Sequence, residues 1–120
     1  MAKTPKARIK KGKDLEEYVA QQIREKGIDL RAYRAHGSGN TTTEKADIYT
    51  SMMILGQNAG IECKNQNKLN IPDWWRQTQK LEKLGREPVL VFKLSYDPMG
   101  NTLAVIYLDT LLDLIKNQNV

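Results

Sequence analysis

The sequence holds one cysteine, one histidine and one phenylalanine in 120 residues. A lone Cys63 excludes an intrachain disulfide and any multi-cysteine zinc site. A lone His36 makes a histidine-built metal centre or a Ser-His-Asp triad hard to assemble, and its setting reads as loop. Apolar runs fall well short of the roughly 20 residues that a membrane span needs. The opening MAKTPKARIKKGK is basic with no apolar stretch behind it, so no secretory leader is expected. Acidic charge is missing from that opening too: residues 1–13 carry six bases and no acid, and the rest carries thirteen bases against fourteen acids. The net charge of +5 therefore belongs to the N-terminus. With 40% hydrophobic and 28% charged residues, the remainder suits one globular domain with one core. The expected division is a flexible basic tail over 1–13 and a single domain over 14–120, in a cytoplasmic setting (a host's, for a viral chain). A like-charged tail serves either a polyanion, nucleic acid being the usual one, or solubility alone.

Periodicity orders the elements. Asp14 to Lys26 reads as an amphipathic helix stopped by Gly27, with Leu15, Tyr18, Val19 and Ile23 on one face. Residues 28–35 alternate as a strand, and HGSGNTTTEKA is a loop. Asp47 to Leu55 and Ile61 to Lys64 read as strands joined by a GQNAG turn. A helix follows from Pro72 to Gly85. Pro88 to Leu94 reads as a strand buried on both faces, LAVIYL as another, and Asp109 to Lys116 as a closing helix capped by Asp109. The order αβββαββα describes one α/β domain without repeats.

Some polar residues break this burial pattern. Glu16 falls at the edge of the first helix's apolar arc, where a carboxylate must be paired, bind a cation or reach back to water. In Ile61-Glu62-Cys63-Lys64 the alternation sends Ile61 and Cys63 inward and Glu62 with Lys64 to the other face. Asp47 opens the preceding strand and can lie across from Glu62. Two carboxylates without His or Cys donors suit a hard cation such as Mg²⁺, and a neighbouring ammonium can hold a water or stabilise charge on a phosphate. Gln77 falls in the Trp74, Leu81, Leu84 stripe, where it needs partners from an adjoining site or from backbone. Trp74 and Trp75 cannot face one core, so Trp74 is assigned inward and Trp75 half-exposed, on ordinary surface, a dimer surface or a DNA-stacking position.

Taken in order, these residues resemble the PD-(D/E)xK nuclease superfamily, and within it the archaeal-type Holliday junction resolvases and their viral relatives, with the VRR-NUC group close by. Lys11, Gly12 and Glu16 match a KG-x-x-x-E opening, Gly37 and Ser38 a Gly-Ser pair, and Ala46-Asp47-Ile48 the A/P-D-I element. Ile61 to Lys64 match I-E-C-K, Gln77 a glutamine thirteen residues on, and Gly85 to Lys93 a G-x-x-PVL-x-x-K run. The loop between Ser38 and Asp47 is longer than in the archaeal members, and Ala46 stands where the superfamily name has Pro. The resemblance implies a restriction-endonuclease-like fold, a central mixed sheet flanked by helices. It implies Mg²⁺, with Mn²⁺ as a substitute, held by Asp47, Glu62, the Cys63 carbonyl and Glu16. Lys64 would orient the attacking water, Gln77 would position Lys64 or that water, and Ser38 would touch the phosphate. Lys10, Lys11, Lys13, Arg34 and Ser38 would contact DNA. The activity implied is paired nicking of four-way DNA by a two-fold dimer, leaving 5′-phosphate and 3′-hydroxyl, without a membrane or an organic cofactor. A less selective nickase or flap nuclease, and a DNA-binding protein that no longer cuts, share the same pattern.

Overall fold

The computed structural model describes residues 5–35 and 46–119. The first helix, α1, runs Pro5–Glu25, nine residues earlier than the apolar periodicity predicts. Proline is tolerated in a first turn, and the Ala, Lys and Arg that follow are good helix formers. Residues 5–13 thus extend the helix instead of forming a separate segment. Leu15, Ala20 and Ile23 are its buried stripe. It stops at Gly27 (φ 74°), where Ile28 N–H donates to the Ile23 carbonyl and Gly27 N–H to that of Arg24, a Schellman closure.

Four short or medium strands follow: β1 (Tyr33–Arg34), β2 (Ile48–Tyr49), β3 (Met53–Ile54) and β4 (Gln57–Lys64). The expected 47–55 strand is therefore split in two. β3 and β4 pair antiparallel around Leu55 and Gly56, at φ 53° and 83°. Two consecutive positive φ angles make the two-residue turn whose twist suits a hairpin. The turn thus sits before Gln57, and GQNAG, expected to turn, lies mostly inside β4. β1 pairs antiparallel with β2.

The chain then crosses over through α2 (Ile71–Gln79) and a 3-10 turn (Lys80–Leu84) to β5 (Glu87–Phe92), parallel to β4 with Glu62 beside Leu90 and Lys64 beside Phe92. A second 3-10 turn (Met99–Asn101) precedes β6 (Leu103–Val105), antiparallel to β5, and the helix α3 (Leu108–Gln118). Tyr107, not Asp109, holds the N-cap of α3, and Asp109 lies in its first turn. The larger sheet has the order β3-β4-β5-β6. Ile61, Cys63, Val89 and Val91 face the α1 stripe, whereas Leu90 and Phe92 pack with Trp74 of α2. Apart from the split strand, the element order follows the sequence expectation: a small α/β domain whose mixed, curled sheet lies between helices. Among the described residues no helix is long and apolar enough to cross a membrane.

Candidate active site

The sheet delivers Asp47 and Glu62 to one place through backbone bonds. Asp47 N–H donates to the Ile61 carbonyl (2.9 Å), and the Asp47 carbonyl accepts from Ala35 N–H (2.7 Å). Asp47 is thereby pinned between β4 and the end of β1. Its Oδ2 accepts the Cys63 N–H at 2.8 Å, and its carboxyl also hydrogen-bonds the carboxyl of Glu62. Both acids are pushed above the ordinary carboxylate range, in each case chiefly by burial. The Asp47 charge raises Glu62 further, and the Lys64 ammonium draws both acids downward. The alternation expected for β4 holds: Ile61 and Cys63 are buried, while Glu62 and Lys64 share the opposite face half-buried. Cys63 itself is a buried free thiol held protonated, first by burial and then by the surrounding acids.

Glu16 stands at the margin of this group. Burial, then the charge of Asp47, pushes it up to about 7, against Arg34 and Lys13. Arg34 Nη1 lies 3.7 Å from its Oε1, both side chains largely covered. The three expected carboxylates thus sense one another, but only Asp47 and Glu62 are in direct contact. Among the described residues no three of His, Cys, Asp and Glu stand close enough to cage a metal ion. The donor chemistry of the pair nevertheless fits a hard divalent cation. Two half-buried carboxyls in hydrogen-bond contact cannot both ionise cheaply, and a cation in place of the shared proton would neutralise both through oxygen donors.

The remaining expected residues are placed unevenly. Gln77 is exposed, whereas the stripe analysis sends it inward. The stripe leans on Leu84, which lies beyond the change to 3-10 winding after Gln79 and is exposed; within regular α2 the buried face runs through Trp74 and Thr78, and Gln77, 100° from Thr78, falls outside it. The inward positions are Trp74, Thr78 and Leu81, and Leu84 is exposed. The Thr78 hydroxyl donates to the Trp74 carbonyl at 2.8 Å and needs nothing from a site. Ser38 lies outside the described residues. Of the basic residues, Lys10 pairs with Asp14 at 2.9 Å, Lys11 Nζ donates to Asn67 Oδ1 at 2.8 Å, and Lys13 is exposed. Trp75 is half-buried against Tyr107, ring centroids 5.1 Å apart.

One residue escapes the sequence argument although its signal is there. Asn65 continues the inward parity of Ile61 and Cys63, is buried, and donates from Nδ2 to the Lys11 carbonyl at 3.1 Å. It ties the end of β4 to α1, and so fixes the strand of Glu62 against the helix of Glu16.

No curated protein and no solved structure matches the chain. A family profile described as "phage putative PDDEXK endonuclease" matches residues 7–120, a span holding Glu16, Asp47, Glu62 and Lys64. With nearly its whole length matched, and a half-buried acid pair beside a lysine on its central strand, the chain belongs to this phage PDDEXK endonuclease family of metal-dependent nucleases.

Proposed function

We propose that the Asp47–Glu62–Lys64 group is the catalytic site of a Mg²⁺-dependent DNA endonuclease, and that its substrate is branched DNA, foremost the four-way junction. The observation that carries the catalytic part is the carboxyl pair itself, Asp47 just before β2 hydrogen-bonded to Glu62 of β4, with both acids raised by burial and a lysine two residues along β4. Asp47 and Glu62, with the Cys63 carbonyl and Glu16 as further oxygen donors, would hold the cation. Bound there, it would supply charge neutralisation at the phosphate and a more acidic water.

The protein's own groups supply the rest. Cys63 N–H fixes the Asp47 carboxylate, leaving its other oxygen for the cation. Lys64, on the same face as Glu62, offers a positive charge where negative charge builds at the phosphate, and holds the attacking water. Arg34 keeps Glu16 oriented by its 3.7 Å ion pair. Gln77 can serve only from a solvent-facing position. The Lys and Arg residues along the first half of α1 would attract DNA by charge and shape without reading sequence.

The junction preference rests on the ordered motif set that resembles the junction resolvases. Synthetic four-way, flap and linear duplex DNA, digested with Mg²⁺ and mapped at nucleotide resolution, tests it. Symmetric paired nicks in the junction, ending in 5′-phosphate and 3′-hydroxyl, are the expected result. Equal cutting of all three would make the enzyme a general nickase, and binding without cutting would remove the catalytic assignment.

A further inference from the structure

The closing helix is turned inside out. α3 is attached to the body by polar groups. Thr110 Oγ1 donates to Glu87 Oε2 at 2.9 Å, and the preceding Tyr107 accepts from Gln79 Nε2 (2.9 Å) and donates to Glu82 Oε2 (2.8 Å). Thr110 is the one buried residue of this helix. Stepping about 100° per residue, Leu108, Leu111, Leu112 and Ile115 form a continuous i, i+3, i+4, i+7 stripe roughly opposite Thr110. They are 68%, 43%, 52% and 44% exposed. A helix ordinarily spends such a stripe on its own core. Here it faces away from the body that Thr110 anchors.

We propose that this stripe is a self-association surface, on which α3 packs antiparallel against α3 of a second copy. Charge complementarity selects both the partner and the direction. Asp109 and Lys116 lie within about 20° of each other on one flank of the stripe, seven residues apart. A two-fold axis that pairs the helices antiparallel keeps that flank on the same side in both copies. It sets each Asp109 opposite the other copy's Lys116, twice over. In a parallel pair the two flanks fall on opposite sides and the charges do not meet. Asp113 lies further round, off the seam. An 11-residue helix is about 16 Å long and covers less than the roughly 800 Å² per partner of a standard interface. The pair therefore dissociates on dilution. The surface stands independently of the nuclease reading. Its use, two sites acting on opposite strands of one branched DNA, rests on that reading.

Sedimentation equilibrium of the full chain over a hundredfold concentration range tests the surface. A monomer–dimer equilibrium is expected, abolished by Leu112→Asp with an unchanged circular dichroism spectrum, since the residue is exposed. Asp109→Lys and Lys116→Asp should each weaken self-pairing, while an equimolar mixture of the two should form a heterodimer, because unlike charges then meet at both ends. A wild type that stays monomeric, a dimer insensitive to Leu112→Asp, or charge variants that fail to pair on mixing would overturn the proposal. Plasmid nicking by Leu112→Asp reads the chemistry separately. Retained nicking with loss of paired junction cuts supports both readings. A wild type that dimerises but cuts nothing leaves the surface standing and removes the nuclease reading.

Discussion

Asp47 does two kinds of work at once, since its main chain is a rung between strands and its carboxylate is half of the acid pair. The shared face of Glu62 and Lys64 was legible from the sequence because two-residue alternation on a strand tolerates little error: once Ile61 and Cys63 are inward, the other two must share the opposite side. Gln77 was not legible, because the stripe that draws it inward is anchored on Leu84, and the change to 3-10 winding after Gln79 turns Leu84 outward without leaving a mark in composition. The partnership of Glu16 with Arg34 also escaped, as nothing in either stretch announces that they meet. Asn has an oxygen that can still accept the Cys63 N–H, so Asp47→Asn should fold normally. It removes one charge from the acid pair, and cleavage should fall by at least about 100-fold. Lys64→Met, which takes away the positive charge proposed to meet the phosphate, should cost about 10²–10⁴-fold. Single-turnover cleavage alongside thermal melts checks both, and wild-type rates in Asp47→Asn would displace the site.

Elements were easier to foresee than their ends. The hairpin, the buried parallel strand and the crossover helix all follow from apolar pattern and glycine positions. The start of α1 does not, because the basic residues 6–13 carry no apolar stripe to read. The turn at Leu55 and Gly56 leaves no signal at its first position because leucine rarely takes a positive φ. The crossover lies tightly over β4 at Gly60, where a Cβ would sit 3.0 Å from the Cβ atoms of Arg86 and Leu81. Backbone on both sides of that contact belongs to the parallel strand pair and its connection, so it yields little. Gly60→Ala should therefore destabilise the protein by about 1–3 kcal/mol, seen as a melting temperature several degrees lower. An unchanged melt would mean that the connection is looser than its packing implies.

For the molecule as a whole, the acid cluster sets a pH dependence of unusual sign. Glu16 keeps its proton up to about 7 against an ordinary 4.5, and burial holds the Asp47–Glu62 pair up as well. The folded state then binds more protons than the unfolded one above pH 4.5. This contribution is complete below that pH and is lost as pH rises through about 7. Asp29 acts oppositely. The Thr50 hydroxyl, with Ser51 and Arg31 N–H, holds it down to about 2, a contribution lost as pH falls from 3.8 towards that value. Without divalent cations, melts should therefore be highest on the acid side of neutrality, and Mg²⁺ should raise them most above about pH 8, where Glu62 too gives up its proton. A flat pH profile that ignores Mg²⁺ would contradict the site. Charge on α1 gives a second measurement: replacing Lys6 and Arg8 by Gln should lower the slope of log affinity for DNA against log salt by about 2. An unaltered slope would show that this end of the helix does not touch phosphate. Finally, β2 is only two residues long, and the rung beside it includes half of the acid pair. A fluctuation that unzips this short ladder disarms the enzyme while the rest stays folded. The active fraction is then set by the share of time that ladder stays closed, an opening equilibrium that amide exchange at Asp47 and Cys63 reports.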